Sequence, residues 1–119
     1  MTITIYHNPR CSKSRKTLEI IESRGLTPQV IRYLDEPPDA DRILELAATI
    51  GVPVSDLLRR NEDDYRHADD LPDLDDDTSL AAWLSRHPGV LQRPIVIDDD
   101  AGVAVIGRPP ENVAEILPS

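Results

Sequence analysis

Residues 2–6 (TITIY) alternate and are rich in β-branched side chains, and residues 29–33 (QVIRY) repeat that character after a single helical stretch. Between them, across residues 14–25, Leu18, Ile20 and Ile21 recur at helical spacing. Ser12 or Ser14 is expected to cap this helix, and Gly25 to stop it. Strand, helix and strand within about thirty residues make a βαβ unit, so the two strands must run parallel. No other feature narrows the possible folds as much.

The rest of the chain reads in the same way. Residues 35–38 are a turn, and Asp39 is expected to cap a helix running to Ile50 and ended by Gly51. Its apolar face is Ile43, Leu44, Leu46 and Ala47. Residues 54–59 read as a short helix, and 61–77, interrupted by Pro72, as loop with little regular structure. Residues 78–86 read as a helix with Thr78 as its cap and Leu80, Trp83 and Leu84 facing inward. Strands are expected at 94–97 and 103–106, joined by a hairpin turn at 98–102. After a loop at 107–110, a last helix spans 111–117, with Pro109 or Pro110 in its first turn. A βαβ half, a helical insertion at about 39–87 and a ββα half give an α/β class with a mixed four-stranded sheet. That order is the thioredoxin-like fold, expected as a single domain over residues 1–119.

A chain of 119 residues suffices for one modest core. With one Trp, three Tyr and no Phe, that core is expected to be aliphatic. No apolar run approaches the ~20 residues of a membrane span, and the first ten residues lack the basic and apolar regions of a leader. A net charge of −9 argues against nucleic acid as a partner. A single cysteine, Cys11, rules out an internal disulfide and a thiolate zinc cluster, and no metal is expected. It suits a reducing cytoplasm.

The charge is uneven. Residues 61–77 hold nine acids and one base, and so carry −8 of the net −9. The first 18 residues hold four bases (Arg10, Lys13, Arg15 and Lys16) and no acid. The acidic run reads as a solubilising surface loop. The basic pole surrounds the cysteine, which falls between the first strand and the first helix. There, free backbone N–H groups and the helix dipole favour a thiolate. Arg10, Lys13 and Arg15 add full charges, and His7 stands four residues upstream. The same groups can cradle a tetrahedral oxyanion. A lone cysteine is more often a buried, inert side chain, but four bases without an acid around a strand-to-helix turn oppose that reading. Arg59, Arg93 and Arg108 could complete such a site, since a guanidinium suits bidentate contact with oxyanions. Arg93 precedes Pro94, at the place where thioredoxin-like folds put a cis proline facing the active cysteine.

The run from Ile5 to Arg15 (IYHNPRCSKSR) resembles the glutaredoxin-coupled arsenate reductases, the ArsC family. So do residues 57–61 (LLRRN), 93–96 (RPIV) and 106–111 (IGRPPE), collinear over about 4–117. The resemblance implies that Cys11 attacks arsenate, that Arg59, Arg93 and Arg108 bind the oxyanion, and that His7 helps to depress the thiol pKa. Ser14 and Arg15, in the cysteine motif, are expected to join the substrate-binding set. It implies glutathione as co-substrate and glutaredoxin as partner, with no bound cofactor. The single cysteine points the same way, because a thiol–arsenate adduct must be reduced by a second thiol, which this chain lacks. Ser12-Lys13 stands where plasmid-borne members have Gly-Thr, so the chain looks like the shorter chromosomal subgroup.

Two other functions compete. Spx-type regulators of the same fold sense oxidation through a Cys-x-x-Cys pair, whereas here the second position is Ser14. A glutathione-dependent thiol transferase acting on another substrate would need Cys11 but not three arginines.

Overall fold

The structure, a computed structural model, describes residues 1–118. The chain divides into two compact units, one made of Met1–Tyr33 together with the chain from Arg93 onward, the other of Leu34–Gln92.

The first unit is built on a four-stranded sheet of β1 (Ile3–His7), β2 (Gln29–Arg32), β3 (Ile95–Asp98) and β4 (Val103–Ile106). The strand order is β2-β1-β3-β4. β1 and β2 are parallel, as the βαβ spacing requires, while β3 is antiparallel to both β1 and β4. This mixed sheet is the expected thioredoxin-like arrangement. Every residue of the central strands β1 and β3 is buried, whereas the edge strands β2 and β4 are largely exposed or half-buried. Ile3, Ile5 and Val96 of the sheet form a core with Ile21 of helix α1 (Ser12–Ser23) and with Val113 and Leu117. Val113 belongs to a 3-10 helix, Pro110–Ile116, where the sequence predicts an α-helix over 111–117.

The cap of α1 differs from expectation. Neither Ser12 nor Ser14 caps it: Cys11 is itself the N-cap residue, extended at φ −92° and ψ 122°, without a side-chain cap hydrogen bond. Ser12 is already helical, and the Ser14 hydroxyl is used elsewhere. Past the other end, Gly25 takes the left-handed φ of 77°, as its role as stop predicts.

In the second unit, Asp39 caps α2 (Ala40–Ile50) by accepting from Arg42 N–H at 2.8 Å, and Gly51 ends it at φ 89°. α2 packs against α4 (Asp77–Arg86), and Ile43 and Leu46 of the one and Leu80 and Leu84 of the other are fully or almost fully buried. The cap of α4 is Asp76 rather than Thr78, accepting from Ser79 N–H at 3.1 Å and from its hydroxyl at 2.8 Å. A carboxylate at this place also complements the helix dipole, which a threonine does not. The short helix expected over 54–59 is a 3-10 turn, Val54–Leu57, because Leu58 leaves it to bridge Leu91.

The acidic run is more ordered than a loop. It contains one helical turn, α3 (Asp63–Arg66), and Asp70 accepts a 2.9 Å hydrogen bond from Trp83 Nε1. Nor is the core purely aliphatic. Trp83 and Tyr33 are among the largest fully buried side chains, each in a different unit. A buried indole or phenol needs a polar partner, and Asp70 serves Trp83. Among the described residues no helix is long and apolar enough to cross a membrane.

Candidate active site

β1 delivers the chain to His7, and a turn at Asn8–Arg10 reverses it into α1. Asn8 builds that turn. Its carbonyl accepts from Cys11 N–H at 3.0 Å, and its side-chain Oδ1 accepts from Arg10 N–H at 3.0 Å. Ser14, one turn into α1 and fully buried, reaches back to close the loop. Its hydroxyl accepts from Asn8 N–H at 3.0 Å and shares a 2.7 Å hydrogen bond with His7 Nδ1. The backbone N–H groups of Lys13 and Ser14 face the cysteine sulfur.

Half-buried Cys11 feels opposing influences. Burial pushes its thiol up, but the backbone N–H groups of Ser14 and Lys13 and the Arg93 guanidinium pull it down. The net result lies below the ordinary thiol value. The cation beside the sulfur is therefore Arg93, 82 positions along the chain, and not the neighbouring Arg10, Lys13 or Arg15 on which the sequence reading relied. Arg15 instead donates through Nη1 to the Pro9 carbonyl at 3.0 Å.

His7 is buried, and burial together with the Arg32 and Arg15 charges lowers its pKa. A neutral imidazole offers the thiolate no full charge. The structure links His7 to Cys11 through Ser14, whose hydroxyl meets the ring and whose N–H meets the sulfur.

Arg93 and Arg108 are brought together. Arg108 Nη1 donates to the Arg93 carbonyl at 3.1 Å. The Arg93–Pro94 and Arg108–Pro109 bonds are both cis. The Arg108 loop is held by Gly107 N–H donating to the Pro94 carbonyl at 2.9 Å and by Asn112 Nδ2 donating to the Arg108 carbonyl at 3.1 Å. Arg59 belongs to the Leu34–Gln92 unit. There its N–H donates to the Val90 carbonyl at 2.6 Å, and its Nε donates to Glu62 Oε1 at 3.2 Å.

The first unit thus presents a sulfur of lowered pKa at a helix N-terminus, beside a guanidinium. Residues 6–116 of the chain match the family model described as the ArsC family. The chain belongs to the ArsC family. An arsenate reductase of Neisseria meningitidis serogroup A is 42% identical over 117 residues, 97% of each chain. An arsenate reductase of Escherichia coli is 43% identical over 116 residues, 98% of this chain and 81% of the relative. Among solved structures, an arsenate reductase from Vibrio cholerae superposes with a TM-score of 0.87 at 40% identity, covering 98% of both chains.

Two participants in this ArsC-family site escaped the sequence reading. The sequence places Asn8 in the cysteine motif without a role of its own, although an Asn at a strand end, two residues before an N–H it can bond, is a turn signal. The sequence places Gly107 in the loop at 107–110 and in the IGRPPE motif, without a reason for a glycine there. Its need for absent side-chain volume depends on Thr17 and Pro94, which no local pattern places beside it.

The lowered thiol gives a direct expectation. The rate of Cys11 alkylation by iodoacetamide, followed against pH, should show a midpoint below that of the same chain in denaturant. Because the folded value is depressed, the matching contribution to stability is fully present above the unfolded thiol pKa. It is lost as the pH falls through the folded value. Coincident midpoints in native and denatured chain would remove the thiolate argument.

Proposed function

We propose that this ArsC-family chain reduces arsenate to arsenite, with glutathione and glutaredoxin as external reductants. The observation that carries this reading is the helix-capping Cys11 with Arg93 beside its sulfur. The family membership and the relatives named arsenate reductase support it.

In the first step the Cys11 thiolate attacks arsenic(V). A sulfur–arsenic bond forms, and one oxygen leaves as hydroxide, taking up a proton to become water. The N–H groups at the start of α1 and the guanidinium of Arg93 suit the charge on the remaining oxygens. Arg108 shares that task, a reading supported by the hydrogen bond from its Nη1 to the Arg93 carbonyl. From the sequence resemblance alone, we assign Arg59 to the same set. Ser14 contributes its backbone N–H, and Arg15 braces the Pro9 turn. In the second step a glutathione thiolate attacks the Cys11 sulfur. The sulfur–arsenic bond breaks with its electron pair going to arsenic, which leaves as arsenite. Arsenic gains two electrons, and the two sulfurs become a mixed disulfide. A glutaredoxin thiol then takes the glutathione and frees Cys11. No second cysteine in this chain can perform either of the last two steps.

The test is arsenate-dependent NADPH oxidation with glutathione, glutaredoxin and glutathione reductase, omitting one component at a time. Turnover is expected only with the full set. Without glutaredoxin, the chain should accumulate one glutathione on Cys11, read as the added mass of the intact protein. A complete mixture that leaves arsenate untouched would sink the proposal. Arg108→Ala separates this reading from a thiol transferase. It should reduce arsenate turnover by at least ~10-fold while leaving glutathione exchange at Cys11 largely intact.

A further inference from the structure

Tyr33 is a buried polar side chain that none of these steps uses. It follows β2 directly and is completely shielded from solvent. The parallel register pairs His7 with Arg32, so the next residue on each strand, Asn8 and Tyr33, leaves the sheet at the same end. Asn8 Nδ2 donates to Tyr33 Oη at 3.5 Å. The Arg93 guanidinium donates to the same oxygen, and it also donates to the Cys11 sulfur. The other atoms of Asn8 hold the turn that presents the cysteine. One phenol oxygen therefore touches both supports of the thiolate, the turn before it and the cation beside it. Burial raises the Tyr33 hydroxyl above its ordinary value, against the opposing pull of Arg93, so the phenol stays neutral. A neutral oxygen can orient a guanidinium without cancelling the charge that an oxyanion needs, as a carboxylate would.

We propose that Tyr33 is a positioning residue: its hydroxyl fixes the Arg93 guanidinium and the Asn8 turn in the arrangement that holds Cys11 ready to attack an oxyanion. For the identity of the oxyanion this rests on the arsenate reading, but the effect on the thiol stands without it.

The test is the pH dependence of Cys11 alkylation by iodoacetamide in the full chain, for wild type, Tyr33→Phe, Arg93→Ala and the double variant. Tyr33→Phe keeps the ring and loses only the oxygen. It should raise the alkylation midpoint by roughly half a pH unit and lower kcat/KM for arsenate about tenfold. If the oxygen acts through Arg93, the same replacement made on Arg93→Ala should move the midpoint by less than half as much, because coupled sites are not additive. Incorporating 3-fluorotyrosine at position 33 keeps the shape and weakens the oxygen as an acceptor. It should move the midpoint in the same direction by a smaller amount, and it decides the matter if Tyr33→Phe does not fold. An unmoved midpoint, or a shift of equal size with and without Arg93, overturns the proposal. A coupled shift in a chain that leaves arsenate untouched would sink the arsenate reading and keep Tyr33 in its role. Arsenate turnover with an uncoupled midpoint would do the reverse.

Discussion

Cys11→Ser should bring arsenate reduction down to the rate without enzyme, a loss of at least ~10⁴-fold, or about 5.5 kcal/mol of barrier. The substitution changes one atom, and the cradle around it should persist. The N–H groups of Ser14 and Lys13 that face the sulfur belong to the backbone, and a serine oxygen at the start of the helix can accept from them in its place. What disappears is the chemistry. A serine hydroxyl does not ionise near neutral pH, so the first step has no nucleophile. Even an oxygen–arsenic ester could not continue, because glutathione would have no sulfur to attack and no electron pair would reach arsenic. The loss should therefore appear in kcat, while arsenate still binds, as competition with a labelled oxyanion would read. If Cys11→Ser kept a tenth of the activity, the cysteine would not be the nucleophile.

Gly107→Ala should be the most damaging small change in the first unit, costing about 1–3 kcal/mol, or roughly 5–15 °C in thermal midpoint. The glycine is required here by close approach and not by backbone angle. A Cβ would lie 2.6 Å from Thr17 Oγ1 and 2.8 Å from Pro94 Cγ. Neither can yield easily. Thr17 is fully buried, with its hydroxyl donating to the Lys13 carbonyl at 2.8 Å, and Pro94 is a buried ring immediately before β3. Relief would push the 107–108 segment away from α1 and move Arg108 with it. Stability and arsenate turnover should fall together in this variant, as thermal unfolding and the coupled assay would show. An unchanged thermal midpoint would mean that the close approach is not real.

What the sequence made legible were features that neighbours along the chain determine. Residues 2–6 must be strand because their alternation has no helical alternative, and Asp39 and Gly51 bracket a helix whose two ends are both written locally. The cysteine motif marked the right turn. What could not be read were the partners that arrive from a distance. Four local bases suggested the field around Cys11, yet the guanidinium at the sulfur is Arg93, delivered by the strand pairing of β3 with β1. Ser14 looked like a cap because serine often is one. Its hydroxyl is drawn inward by His7, whose position depends on β1. The scarcity of aromatics predicts an aliphatic core, yet Trp83, which helical spacing turns inward, and Tyr33 are both fully buried. Asp76 and Thr78 both suit a helix start, and pattern alone does not choose between neighbours.

The burial of Trp83 has a practical consequence. It is the only tryptophan of the chain, and its ring is stacked on His87 with centroids 4.3 Å apart. Its fluorescence therefore reports on the Leu34–Gln92 unit alone, from an indole in contact with an imidazole quencher. Cys11, the only thiol, reports on the other unit. The chain thus carries two intrinsic labels, one optical and one chemical, each confined to one unit. For any variant, emission and alkylation recorded together reveal which half of the molecule has been disturbed.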